Sequence, residues 1–358
     1  MIRTLLARAG LVATAACAAT LLTAAPAAAH GADAPDGTDY RTRTTGVTPA
    51  RPGLEVRVVE AGARLELTNR TGRPIEVIGY SGEPYLRVGP DGVFENTRSP
   101  ATYLNRTIAG DTALPAEADP AAAPSWRRIA DGTTVRWHDQ RALWREPTPP
   151  DAVRAAPDRE HRVRDWTIPL HDGADPVQIR GTLDWLPPPD AYTWWAVTIV
   201  GLLAVGALGL LAAAAPAGAR ALTALGVLLI AGGAVAVLYP VGRELDAGAQ
   251  GLGGVLVGLL SGQVWSLLTG LGAIAAGCYA LARRPAADFA VALAGACLAL
   301  FAGVANAAVF ARSVAPVPWP AEVARVMVAL VLITGAGATA AGVLRLHAAS
   351  RTPTPAGT

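Results

Sequence analysis

The chain contains no lysine; every one of its basic residues is Arg, and Ala, Gly and Pro are abundant, a bias that GC-rich, actinobacterium-like coding imposes. Cysteine is nearly missing. Cys17 lies in the first apolar run and Cys278 and Cys297 in late ones, so the polar stretch between has none and cannot depend on disulfides. Charge is scarce, at 16% of residues against 52% hydrophobic, too apolar for one soluble domain and right for a soluble half joined to a membrane half. No basic stripe marks a nucleic-acid site. There is no G-x-S-x-G, H-E-x-x-H, C-x-x-C or phosphate-binding glycine loop, so no catalytic residue and no enzyme activity is expected.

What is present divides the chain. Residues 30–190 hold 20 Arg against 24 Asp and Glu, whereas 191–358 hold 8 Arg against 4. Residues 1–29 read as a secretory signal peptide: Arg3 and Arg8, an apolar run from Ala9 to Leu22, Pro26, and small residues at Ala27 and Ala29 for A-x-A cleavage. Cleavage there leaves His30 as the mature N-terminus. Cys17 is a poor lipoprotein cysteine, because Thr14 stands where Leu is wanted.

Residues 30–53 are polar, without an apolar period, and are expected to form an extended arm. Period-2 alternation starts at Leu54, Val56 and Val58, repeats at Leu65 and Leu67, and resumes at Ile75 and Val77 after the turn-forming stretch Asn69 to Pro74. Further strands are expected at 85–88, 133–137, 162–168 and 177–185. Seven short strands without a helix predict an all-β extracytoplasmic domain over 54–186, an immunoglobulin-like β-sandwich. Ala109 to Pro124 and Arg145 to Arg159 are expected surface loops. Trp126, Trp137, Trp144, Trp166 and Trp185 are expected to pack its core. Pro187-Pro188-Pro189 opens a stiff linker over 187–192.

Apolar spans at about 194–215, 221–241, 252–282, 289–311 and 323–346 predict an α-helical transmembrane bundle of about five helices over 193–346, with a tail at 347–358. The third is too long for one upright helix and is expected to tilt or to begin with an interfacial or re-entrant piece before Gly262. An exported N-terminal domain and the placement of Arg220, Arg283, Arg284, Arg345 and Arg351 both put the C-terminus in the cytoplasm of a bacterial cell membrane. Gln263 and Asn306 are the strongest polar groups at depth and read as interhelical hydrogen-bonding residues, and Gly254, Gly258 and Gly262 as a face on which a helix packs closely.

Three stretches carry a resemblance: Gly79-Tyr80-Ser81-Gly82-Glu83-Pro84-Tyr85-Leu86-Arg87-Val88 with Gly92-Val93-Phe94-Glu95-Asn96; Arg136-Trp137-His138-Asp139-Gln140-Arg141 with Trp144; and Asp165-Trp166 with Gly181-Thr182-Leu183-Asp184-Trp185. They resemble a group of uncharacterised actinobacterial exported multi-pass membrane proteins. The resemblance implies a location and an architecture but no activity.

The ligand-like set is His30, His138 with Asp139, His161 and His171; the fifth histidine, His347, falls on the other side. A mature N-terminal His offers an amine and an imidazole to one copper ion, and copper-handling envelope proteins that begin the mature chain with His resemble this. The leading expectation is a non-enzymatic envelope protein that binds a ligand or another envelope protein outside the membrane, with the lipid bilayer around its helices. Copper binding or delivery through His30 is the alternative.

Overall fold

The computed structural model describes residues 37–213 and 215–351; the expected signal peptide and His30 lie outside them. Alternating apolar and polar side chains build ten strands: β1 (Tyr40–Thr48), β2 (Leu54–Val59), β3 (Arg64–Asn69), β4 (Ile75–Ile78), β5 (Pro84–Gly89), β6 (Gly92–Asn96), β7 (Trp126–Ala130), β8 (Thr134–Trp137), β9 (His161–Asp172) and β10 (Asp175–Trp185). All neighbours pair antiparallel, in a seven-stranded sheet ordered β1-β10-β9-β4-β5-β6-β7 and a three-stranded sheet ordered β2-β3-β8.

One face of each sheet meets in a shared core. Leu65, Leu67, Val135 and Trp137 come from the small sheet, and Ile75, Val77, Val88, Trp166, Ile168, Leu170, Ile179 and Leu183 from the large one. Burial of each aliphatic side chain here stabilises the fold by about 1.5 to 3 kcal/mol.

Three strands lie where none is expected. β1 occupies the predicted arm and β7 follows the predicted loop 109–124, which carries no helix or strand; β6 completes a hairpin with β5 around Pro90-Asp91. β1 and β7 are the two edges of the large sheet, held by ladder hydrogen bonds rather than by apolar burial, so the alternation that reveals central strands is missing from them. The domain therefore begins at Tyr40, not at residue 54. Its seven-plus-three strand partition differs from the four-plus-three of an immunoglobulin constant domain. Two helical turns, α1 (Ala101–Leu104) and α2 (Asp151–Ala155), interrupt it, the second inside the expected loop 145–159. Trp137, Trp166 and Trp185 are buried as expected, while Trp126 and Trp144 are only half-buried.

The helices are α3 (Ala191–Ala207), α4 (Pro216–Asp246), α5 (Gly251–Gly262), α6 (Val264–Leu281), α7 (Ala287–Leu298) and α8 (Ala321–Arg351). A 3-10 turn extends α3 to Leu210, and a π turn (Ala299–Gly303) and a 3-10 stretch extend α7 to Ala311. Among the described residues five are long and apolar enough to cross a membrane: Ala191–Leu210, Pro216–Asp246, Val264–Leu281, Ala287–Ala311 and Ala321–Arg351. The long third span is two helices, because Gln263 (φ −124, ψ 17) breaks the chain between α5 and α6.

Close helix contact falls on other glycines than expected. A Cβ at Gly233 would stand 2.5 Å from the Gly270 carbonyl oxygen, and one at Gly277 2.5 Å from that of Gly226, so α4 and α6 touch backbone to backbone. Gly258 instead receives the Glu244 side chain, and Gly254 and Gly262 have only loose neighbours.

A Cβ at Gly181 would meet the Trp166 ring at 2.1 Å and the Arg43 carbonyl oxygen at 2.3 Å, whereas one at Gly132 meets nothing within 4 Å. Gly181→Ala is expected to lower stability by about 1 to 3 kcal/mol, and Gly132→Ala to change it little. Thermal unfolding of the detergent-solubilised full chain reads both; equal midpoints would contradict the packing of β1 and β9 around Gly181.

Candidate functional site

Among the described residues of the expected ligand set, His138, His161 and His171 are not gathered at one place; His30 lies outside the described residues. His138, at the end of β8, is 1% exposed; its Nδ1 donates to the Ala63 carbonyl oxygen at 2.8 Å and its Nε2 accepts from Arg64 Nε at 3.1 Å. Both ring nitrogens thus serve the domain itself. Asp139 is equally buried and accepts from Trp137 Nε1 (3.0 Å) and from the backbone, Nε and Nη2 of Arg141 (3.1, 2.8 and 2.8 Å). His161 opens β9 with its Nε2 2.6 Å from the Ala156 oxygen. His171 is exposed near the other end of that strand, about 33 Å away at ~3.3 Å per residue. Among the described residues no group of three or more His, Cys, Asp and Glu is placed to hold a metal ion.

The stretches Gly79–Val88 and Arg136–Arg141 meet around Tyr80. The Arg141 guanidinium donates to the Ile78 carbonyl oxygen and lies 4.9 Å from the centre of the Tyr80 ring. The Gln140 N–H donates to the Tyr80 hydroxyl at 3.0 Å, and that hydroxyl donates to Asn105 Oδ1. Glu83 folds back under the turn to accept from Ser81 N–H (2.9 Å) and the Ser99 hydroxyl (2.6 Å), over Gly79, where a Cβ would stand 2.0 Å from the carboxylate. Burial raises the Tyr80 hydroxyl well above its ordinary value, and the Asp139 charge adds to this. The phenol stays protonated and these residues fasten two loops together.

The structure also assembles a junction between the sheet domain and one end of the bundle, and nothing in the sequence announced it. Glu66, in the middle of the small sheet, is 2% exposed and lies between Arg57 Nε and Arg136 Nε, each at 2.6 Å; Arg136 Nη2 continues to the Gly248 carbonyl oxygen just beyond α4. Asp246, the last residue of α4, accepts from the Ala61 N–H at 2.7 Å. Asp39 takes Arg312 Nη1 at 2.6 Å and the Ser313 N–H at 3.0 Å, while Thr38 and Val314 exchange backbone hydrogen bonds. A groove of about 640 Å³ opens beside this junction, between β8 and α5.

Polar groups inside the bundle gather where its helices are irregular. Pro240 in α4, the break at Gln263 and the π turn after α7 surround a cavity of about 10 Å³ lined also by Tyr239, Ser266 and Asn306. Arg243 is buried there, with Nη1 3.3 Å from Asn306 Oδ1. Such a cavity has room for one water and no solute, and the Arg243–Asn306 contact is the interhelical hydrogen bond expected of Asn306. Arg325 and Arg345 are buried too, the first on the carbonyls of Val309 and Arg312 and the second on Asp288 and the Gly218 carbonyl.

The outer face of the large sheet is the remaining surface of note. Register aligns His171, Glu76, Arg87, Phe94 and Arg128 in one row across β9, β4, β5, β6 and β7. The Arg87 guanidinium lies 4.4 Å from the Phe94 ring centre and 5.1 Å from that of Trp126; Arg128 lies 5.9 Å from Phe94.

Burial raises the Glu66 carboxyl, but the hydrogen bonds and charges of Arg57 and Arg136 outweigh it and hold the group below its ordinary 4.5. The unfolded chain therefore takes up the proton first. The clamp contributes fully above pH 4.5 and fades as pH falls through the lower, folded value. Limited proteolysis across that range should show the sheet domain loosening in the native chain, and Glu66→Gln should remove that acid step while lowering resistance at neutral pH. Compared with protein-family models, curated proteins and solved structures, the chain matches none.

Proposed function

We propose that this chain is a non-enzymatic cell-envelope membrane protein whose sheet domain binds a protein partner outside the cytoplasmic membrane while its helices anchor and orient that domain. The observation that carries the reading is the Arg87–Phe94–Arg128 row with Trp126. Stacked guanidinium and aromatic groups of this kind are what binding hot spots are made of. The Gly248 loop occupies the centre of the small sheet's outer face, over Glu66, whereas among the described residues no element of the bundle packs against the Arg87–Phe94–Arg128 row on the large sheet.

Orientation belongs to the same proposal. The junction gathers the C-terminal end of α4 and the connection before α8 on the side of the sheet domain, leaving Arg220, Arg283, Arg284 and Arg351 at the other end, the cytoplasmic one by the positive-inside rule. We extend the reading to membership of the actinobacterial exported group, supported by the Gly79–Glu83 and Trp137–Arg141 stretches that meet around Tyr80. The finer, immunoglobulin-like description of the domain is supported only by two antiparallel sheets sharing one core.

A photo-crosslinking residue in place of Phe94 is expected to give one discrete adduct in whole cells. Arg87→Ala should lower its yield severalfold, and a probe at Leu114, exposed on the 109–124 loop, should give none. Identical adducts from both positions, or turnover by the full chain in a broad hydrolase screen, would count against the proposal. A C-terminal green fluorescent protein fusion is expected to fluoresce and a C-terminal alkaline phosphatase fusion to stay inactive; the reverse pattern would invert the orientation.

A further inference from the structure

We propose that the groove between β8 and α5 seats the head group of an outer-leaflet phospholipid that carries both a phosphate and an ammonium, such as phosphatidylethanolamine. The proposal rests on the membrane reading given above and adds a ligand to it.

One wall of the groove is α5. Its 12 residues span about 18 Å, too short to cross a hydrocarbon core of roughly 30 Å. It nevertheless exposes Leu252, Leu256, Val257 and Leu260, with Leu252 84% exposed. A helix of that length and apolarity, starting at the domain junction and broken from α6 at Gln263, belongs in one leaflet with its side chains among acyl chains.

The facing wall, from β8, is polar, with Thr134 and Arg136, and Gln250 at the start of α5 adds a further polar group. Arg136 spends its Nε on Glu66 and one Nη2 hydrogen on the Gly248 oxygen. Its side chain is 36% exposed, and its remaining N–H groups are donors suited to a phosphate.

Between the walls lies Glu244. Its carboxylate rests on the bare backbone of Gly258, where a Cβ would stand 1.9 Å from Oε2. The charges of Arg243 and Arg136 reach it, but it makes no hydrogen bond or salt bridge with a described residue. A carboxylate beside an apolar helix at the edge of a bilayer is costly without a donor in contact with it, and an ammonium supplies both charge and hydrogen bonds. Donors on one side, an acceptor-only group on the other and an apolar helix beneath are complementary to phosphate, ammonium and acyl chains in that order, and about 640 Å³ accommodates one head group. A glycerol head group offers Glu244 no cation, and a choline offers it no N–H.

The test is native mass spectrometry of the detergent-purified full chain titrated with phosphatidylethanolamine, phosphatidylglycerol and phosphatidylcholine. Phosphatidylethanolamine is expected to be retained best, and Glu244→Gln to reduce its retention about tenfold, the loss of one charge-assisted hydrogen bond. Gly258→Ala should do the same, since its methyl group meets only the end of the Glu244 side chain. Neither variant should alter phosphatidylglycerol retention. Equal retention of all three lipids, phosphatidylethanolamine retention unchanged in both variants, or a preference for phosphatidylglycerol would each overturn the proposal. A chain that stays in the aqueous phase without detergent would instead sink the membrane reading before any lipid is added.

Discussion

A carboxylate buried between two guanidiniums is the constraint on which the relation between the two halves depends. Glu66 sits on the central strand of the small sheet, and its cross-strand neighbours are Arg57 and Arg136. Strand alternation turns all three away from the core, so on an isolated sheet they would be a wet charged row. The Gly248 loop closes over Glu66, whose side chain is 3% exposed while those of Arg57 and Arg136 stay partly open, and a carboxylate without partners in that position would cost several kcal/mol. The pairing therefore fixes strand register and domain position with one set of contacts, because Arg136 spends one end on Glu66 and the other on the loop after α4.

The fold was legible where burial is one-sided. β2, β3, β4, β9 and β10 show apolar side chains at every second position because one face of each meets the core. β1 is Tyr-Arg-Thr-Arg-Thr-Thr-Gly-Val-Thr and β7 is Trp-Arg-Arg-Ile-Ala; on a sheet edge neither needs apolar alternation, so both looked like connecting chain. Hydropathy found the third apolar span, and its length alone asked for either a tilt or a separate piece before Gly262; the second of these is what the break at Gln263 produces.

The junction was hidden for a different reason. Glu66 becomes special only through Gly248, and Asp39 only through Arg312, partners far away along the chain. Locally each is an ordinary acidic residue on a polar stretch. The histidines mislead in the opposite sense: His138 beside Asp139 has the appearance of a ligand pair, yet a polar pair at a strand end must satisfy backbone and loop groups before it can serve anything else, and Ala63, Arg64, Trp137 and Arg141 already engage both.

The strand order of the large sheet also sets a timetable. β1, the first strand of the domain, pairs only with β10, the last, with Tyr40 opposite Trp185 a few residues before α3 begins. On a chain delivered N-terminus first, β1 must wait unpaired until nearly the whole domain has emerged, and loop closure over that separation is slow. The sheet can therefore close only when the first long apolar helix, α3, is about to follow, so the last step of folding the sheet and the appearance of the helices are adjacent in time.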